Sequence, residues 1–164
     1  MQKIEQITDA PLPLSLRAFW EIVGGIDLMW DYERDDDAPD LGLGLDLPGL
    51  DPLVIDPARC STRLFEEWAD VRAGVCPEIA DPYALELAPD FLHKNNTSGG
   101  APYGVALLFA GADPVFTNEA HGLPFVEYLR LCFRWGGFPR LEHHADIVNA
   151  QRFVRRMTEG FQPF

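Results

Sequence analysis

The sequence predicts an α+β domain with a single mixed or mostly antiparallel sheet flanked by helices. Apolar residues recur at helical spacing near both ends of the chain, whereas short alternating or wholly apolar runs occur between them. The chain has 164 residues, of which 47% are hydrophobic, and this is enough to bury one core without disulfides or metals. We therefore expect one domain over residues 1–164.

Two elements open the predicted fold. The segment "LPLSLRAFWEIVGG" has one apolar helical face and ends in two glycines, which can adopt the left-handed backbone of a helix stop. That face consists of Leu16, Phe19, Trp20 and Val23. The next segment, "GIDLMWDY", alternates apolar and polar residues, so it predicts a strand.

The segment 33–51 is acidic and is interrupted by prolines and glycines, which weaken any strand there. We predict that it is an insertion or an extended edge of the sheet. Its Gly42 and Gly44 do not form a dinucleotide-binding fingerprint, because Leu47 stands where the third glycine is required.

The rest of the chain predicts four strands and three helices. The strands are expected in "PLVIDP", "YALELAP", "YGVALLFAG" and "ADPVFTNEAHG". The helices are expected in "STRLFEEWADVRAG", in "PFVEYLRLCFRWGG", and in "ADIVNAQRFVRRMTEG" within a C-terminal helical extension over 140–164. Their predicted core-facing residues are Leu64, Phe65, Trp68, Val71, Phe125, Leu129, Cys132, Phe133, Ile147, Ala150, Val154 and Met157.

Charge is unevenly distributed along the chain, whose formal net charge is −13. Between Asp27 and Asp56 there are ten carboxylates and a single cation, Arg34, whereas six arginines and two acids lie between Arg130 and Arg156. This excess of negative charge disfavours direct binding of nucleic acid and favours a basic protein partner. The alternative is an acidic surface that only keeps the protein in solution.

The cellular location of the protein and the redox state of its cysteines are predicted from features that the sequence lacks. No apolar run reaches the ~18 residues of a membrane span. The first residues lack the basic start and apolar centre of a signal peptide. We therefore expect a cytoplasmic protein that does not bind a membrane. Its cysteines, Cys60, Cys76 and Cys132, lie far apart and are expected to be reduced and buried.

The segment "HKNNTSGGAPYG", residues 93–104, resembles a site more than any other stretch. A phosphate-binding loop requires a lysine after its last glycine and a following helix, whereas here Lys94 precedes the glycines and a strand follows. A nucleophile elbow requires glycine two positions before the serine, and Asn96 occupies that position before Ser98. We therefore predict a glycine turn between strands that contacts a partner.

A dense group of histidines and carboxylates, Glu142, His143, His144 and Asp146, raises the question of a metal. Adjacent histidines do not share a helical face and the spacing H-x-x-x-H is absent, so we expect a surface cluster with no metal and no cofactor.

Acid–base pairs are conceivable between His93 and Lys94, or between His121 and either Glu119 or Asp113. No local pattern fixes their geometry, so no catalytic residue is predicted.

Three segments together resemble the SUKH superfamily. "LPLSLRAFWEIVGG" is similar to its N-terminal pattern, "LELAPDFLHKNNTSGGAPYGVALL" to its central strand–loop–strand unit, and "PFVEYLRLCFRWGGFP" to its closing helix. The resemblance covers residues 11–32 and 83–139, whereas the stretch 33–51 and the helix after Arg140 do not match. It implies a mixed sheet flanked by helices and no catalytic residue set. Many members are immunity proteins that bind and neutralise bacterial toxins, often nucleases.

These observations favour a non-catalytic protein-binding domain, specifically an immunity protein that occludes a basic toxin domain. The expected partner-binding residues are Asp31, Glu33, Asp35, Asp36 and Asp37 of the acidic stretch, and His93, Asn95, Asn96, Ser98 and Tyr103 of the loop. For Tyr103, packing in the core is the alternative, and its sequence position favours it over an exposed anchor. Two other functions stay open: a regulatory or scaffold module that binds an endogenous protein, and a small enzyme that uses His93 or His121.

Overall fold

A computed structural model of the chain describes residues 1–29, 50–75, 84–107 and 111–159; for 58–63 and 66 it describes only the backbone. These residues form helices and short strands in mixed order, which confirms the predicted α+β class. The helices are α1 (Gln2–Thr8), α2 (Leu14–Ile22), α3 (Pro57–Ala73), α4 (Phe91–Lys94), α5 (Phe125–Arg134), a 3₁₀ helix (Pro139–His143) and α6 (Ile147–Met157). The strands are β1 (Ile26–Asp27), β2 (Val54–Ile55), β3 (Ala84–Ala88), β4 (Tyr103–Ala106) and β5 (Phe116–Thr117).

The strands form two antiparallel sheets in the described part of the chain, where one sheet was expected. One sheet contains β1 and β2, and the other has the order β3-β4-β5. The two sheets lie side by side, because the Asp56 N–H, directly after β2, donates to Leu87 O of β3 at 2.9 Å. This single bond does not make a ladder, so β2 adjoins the larger sheet without extending it.

Gly104 permits the close pairing of β3 and β4. A Cβ atom at Gly104 would lie 2.5 Å from the carbonyl oxygen of Leu85. The register shifts between Glu86 and Ala88, so the strand has an irregularity next to this contact. Any side chain at Gly104 would therefore displace the β3 backbone.

Helices pack over the sheets and enclose the main core. Phe116 of β5 is fully buried at its centre. The Phe116 ring centroid lies 4.5 Å from that of Tyr128 and 6.0 Å from that of Phe125, both on α5. A smaller cluster, formed by Leu50, Phe138, Leu141, Ala150 and Phe153, holds α6 against the 3₁₀ helix.

The predicted helix ends are confirmed, whereas some core-facing residues are not. Gly24, Gly74 and Gly136 follow α2, α3 and α5 with positive φ, as a left-handed helix stop requires. Val23 and Phe133 are exposed. Val23 lies past the end of α2, and Phe133 lies outside the buried face of α5, which includes Tyr128.

On α6 the buried stripe runs through Ala150 and Phe153, and Ile147 at the first position of the helix is exposed. No helix in the described part of the chain is long and apolar enough to cross a membrane.

Candidate functional site

The predicted loop begins with a helical turn rather than as a plain glycine turn. Asp90 caps α4, since its carboxylate accepts a hydrogen bond from the His93 backbone N–H at 2.9 Å and lies 2.8 Å from the ring Nδ1 of His93. His93 and Lys94 therefore belong to α4, Tyr103 and Gly104 belong to β4, and the turn predicted over 93–104 is confirmed only for residues 95–102. The local reason is the N-cap, because an aspartate at this position satisfies an N–H group that a helix leaves free.

A buried ion pair lies beneath the loop. Lys94 Nζ is 2.6 Å from Asp51 Oδ1, and the side chains of Lys94 and Asp51 are 0% and 1% exposed. Tyr103 OH donates to the other Asp51 oxygen at 2.9 Å, and Lys94 Nζ lies 4.7 Å from the centre of the Tyr103 ring. Because an unpaired charge is costly to bury, each member of this triad requires the others.

The tyrosine acts as a donor in this triad. Burial, and then the charge of Asp51, raise the pKa of Tyr103 well above its usual range. Its hydroxyl therefore keeps its proton at physiological pH. The triad joins the segment before β2, helix α4 and strand β4 at one buried point.

The tip of the loop is exposed above this base. Residues 96–101 are all exposed, and Asn96 and Gly99 have positive φ. Asn95 Nδ2 donates to Phe91 O at 2.7 Å, which ties the residue just before the tip to α4. Near the other end of the tip, the backbone of Gly100 packs directly against the carboxylate of Asp90. A Cβ atom at this position would clash with Asp90 Oδ2. We call residues 96–101 the loop tip.

The predicted partner-binding residues divide into three groups. Asp31, Glu33, Asp35, Asp36 and Asp37 lie outside the described residues. His93 is half exposed, and Asn96 and Ser98 are exposed, whereas Asn95 is partly buried.

The prediction of Tyr103 as a surface anchor is wrong. Tyr103 is 4% exposed, because the hydrophobic core surrounds its ring and Asp51 binds its hydroxyl. The sequence suggested Lys94 as a partner of His93 and did not reveal its pairing with Asp51, whereas His93 contacts Asp90. Asp51 was assigned to an acidic edge, and the pair is separated by 43 residues. The only local signal was a lysine between apolar and glycine-rich stretches, and that is too common to indicate a buried pair.

His93 also has the geometry of an oriented acid or base. Burial opposes ionisation of Asp90, but hydrogen bonds from the His93 backbone and ring outweigh it and lower the Asp90 pKa. A carboxylate that orients an imidazole by its Nδ1 is a recurring part of acid–base catalysis. A purely structural role accounts for the same contacts, because Asp90 is the N-cap of α4.

A second polar cluster joins three residues from two parts of the chain. His121 Nε2 lies 3.0 Å from Glu142 Oε1, and His143 Nε2 lies 3.2 Å from the same oxygen. The two imidazole rings stack with their centroids 5.6 Å apart. The His121 backbone N–H donates to Glu119 Oε2 at 2.8 Å, and its ring Nδ1 contacts the other oxygen of Glu119.

The structure therefore divides the predicted surface group Glu142, His143, His144 and Asp146. Glu142 and His143 meet His121, whereas His144 Nδ1 accepts from the Asp146 N–H at 3.1 Å. Asp146 caps α6 by accepting from the Asn149 N–H at 3.0 Å. Of the two carboxylates considered for His121, Glu119 contacts it, while Asp113 accepts from the Val126 N–H at the start of α5.

A scan against family models, a search of curated proteins and a search of solved structures gave no match to this chain. The resemblance to the SUKH superfamily, and the function that it implies, remain predictions.

Proposed function

We propose that the protein is a protein-binding domain that uses the loop tip as a contact surface, and specifically that it is an immunity protein that neutralises a basic bacterial toxin domain. The observation that carries the proposal is the contrast between an exposed polar tip and a base fixed by a buried ion pair. The resemblance to the SUKH superfamily supports the toxin as the partner.

The geometry of the loop suits binding. Ordering a flexible loop when a partner binds costs free energy, and a loop that is already held in place avoids part of this cost. Here Asp90 caps α4 before the tip, and the backbone of Gly100 packs closely against the same carboxylate. Within the tip, Gly99 and Gly100 leave the backbone accessible, while Asn96 and Ser98 supply donors and acceptors for a partner.

Charge gives the expected chemistry of the partner. A formal net charge of −13 attracts a basic protein and accelerates its association. Nuclease domains are suitable partners because they bind phosphates and are basic around the active site. The acidic stretch from Asp31 to Asp37 enters the proposal through its charge alone.

The first experiment is a capture from native-host lysate at low salt, with elution by a salt gradient and identification by mass spectrometry. We expect a basic protein that carries a toxin domain, and purified protein should then inhibit the activity of that domain. An endogenous housekeeping protein in its place would contradict the immunity function and support the regulatory module.

Charge-reversal variants then test the surface with the purified partner. We compare Asp35→Lys/Asp36→Lys/Asp37→Lys with a control of equal charge change, Glu21→Lys/Asp70→Lys/Glu159→Lys, whose three residues are exposed on or beside helices. The first variant should slow association at low salt by at least about tenfold, and the control by much less. Equal effects of both variants would show that only overall charge matters.

Ser98→Arg tests the loop tip directly, with the exposed Gln151→Arg on α6 as its control. The Ser98 variant should accelerate dissociation, because a bulky side chain separates the two surfaces. Unchanged dissociation of the Ser98 variant would remove the loop tip from the interface.

The second candidate is a small enzyme, and the contact between Asp90 and the half-exposed His93 favours it. An activity that His93→Ala abolishes while the melting temperature stays unchanged would support this candidate over binding.

A further inference from the structure

We propose that His121, Glu142 and His143 form a binding site for one divalent transition metal ion, with Zn²⁺ as the expected ion. The site lies between the turn after β5 and the 3₁₀ helix, away from the loop tip in sequence, and it is independent of the proposed binding function.

The distances between the ligand atoms suit one metal ion. All three atoms lie within 4.8 Å of one another, and two of the separations are 3.0 and 3.2 Å. Ligands about 2.0–2.2 Å from a tetrahedral Zn²⁺ lie roughly 3.3–3.6 Å from one another. His143, whose side chain is 75% exposed, is free to rotate by the small amount that closes the third separation.

A buried nitrogen atom points to the ion independently of these distances. The His121 side chain is only 7% exposed, and its Nε2 has no hydrogen-bond partner among the described residues. Glu142 Oε1 is close enough at 3.0 Å, but it lies outside the direction that a hydrogen bond from this nitrogen requires. An unsatisfied buried polar atom is costly, and a metal ion between the nitrogen and the carboxylate removes this cost.

Glu119 prepares His121 as a ligand. Its fully buried carboxylate contacts Nδ1 and can only accept there, so in the neutral form of the ring the proton lies on Nδ1 and the lone pair on Nε2. Metal-binding histidines commonly donate their second nitrogen to a carboxylate in this way. The same contact fixes the orientation of the ring.

Charge and ligand type favour zinc. Glu119 and Glu142 together carry two negative charges, which offset those of a divalent ion. Two imidazoles and one carboxylate suit zinc better than magnesium or calcium, which prefer oxygen ligands, and zinc binds such sites more tightly than iron(II). Three protein ligands leave a fourth position for water, next to a cavity that is also lined by Glu127, Arg130 and Arg134.

Metal titration of tag-free, chelator-treated protein tests the proposal. We expect one Zn²⁺ per chain by calorimetry and an increase in melting temperature on adding Zn²⁺. His143→Ala should weaken binding at least about tenfold, and Glu142→Gln should also weaken it. His144→Ala is the matched control, because this neighbouring histidine contacts Asp146 and lies outside the cluster, and it should bind Zn²⁺ as the unmodified chain does.

Two further readouts separate this site from other zinc binding. His143 is exposed, so His143→Ala should leave the urea midpoint unchanged without metal, which shows that the variant folds. With Co²⁺ the protein should absorb in the visible without a thiolate charge-transfer band, as nitrogen and oxygen ligands require. The absence of stoichiometric binding, equal loss in His143→Ala and His144→Ala, or a thiolate band would each overturn the proposal.

Discussion

The strongest prediction concerns the buried pair of Lys94 and Asp51. Replacing Lys94 by methionine keeps most of the volume of the side chain but removes its charge. Asp51 is then left buried with Tyr103 OH as its remaining donor from the triad. Breaking a buried pair by removing one partner costs about 3–5 kcal/mol, against a total stability of about 5–15 kcal/mol for a domain.

Matched variants separate this effect from the loss of a lysine in general. The chain has two lysines, and the other, Lys3, lies over the Phe65 ring with its Nζ 4.2 Å from the ring centre. Lys3→Met should cost no more than about 1 kcal/mol. Adding Asp51→Asn to Lys94→Met should recover part of the loss, because it removes the uncompensated charge.

Urea unfolding followed by tryptophan fluorescence measures each variant, and the slope m shows whether the transition stays comparable. The double-mutant cycle gives the interaction energy of the pair. A Lys94→Met variant within about 1 kcal/mol of the unmodified chain would show that the buried pair does not stabilise the fold in this way. A further loss of stability on adding Asp51→Asn to Lys94→Met would show the same.

Two further predictions concern the same region. Asp90→Asn should lower the free energy of unfolding at pH 7 by about 1 kcal/mol, because the ring of His93 loses its charged acceptor. Since folding lowers the Asp90 pKa below its ordinary 3.8, the carboxylate stabilises the fold above this pH and loses its effect as the pH falls through the folded pKa. The difference between the urea midpoints of the two proteins should therefore shrink as the pH falls below 3.8, and a difference that stays constant there would contradict this cause. Gly104→Ala should cost about 1–3 kcal/mol, since its Cβ would meet Leu85 O, and an unchanged urea midpoint would show that β3 yields easily.

The sequence predicted those elements whose signals are local. Helices α2, α3 and α5 were found from the period of their apolar residues, and each ends near a glycine with positive φ, which is a property of the residue itself. Helix α1 was missed, because its seven residues bury only Ile4 and Thr8, and two residues do not make a period. The division of the strands into two sheets had no signal in the sequence, since it depends on how β2 meets β3.

In the candidate sites too, the features with a local sequence signal were predicted and those that depend on packing were not. The sequence singled out the loop from its glycines and small polar residues, and its tip is exposed as a contact surface requires. For Tyr103 it left a surface anchor and packing in the core open, because an aromatic residue at a strand start suits both an interface and a core.

The class of the fold, the C-terminal ends of α2, α3 and α5 and the acidic charge could be read from the sequence, because they follow from residue type and short-range spacing. Which polar groups meet depends on the packing of distant segments. Asp51 contacts Lys94 and Tyr103 across 43 and 52 positions, and His121 meets Glu142 from another element. The physical reason is that pairs so distant in sequence are brought together by the burial of apolar side chains elsewhere, which leaves no pattern near the charged residues themselves.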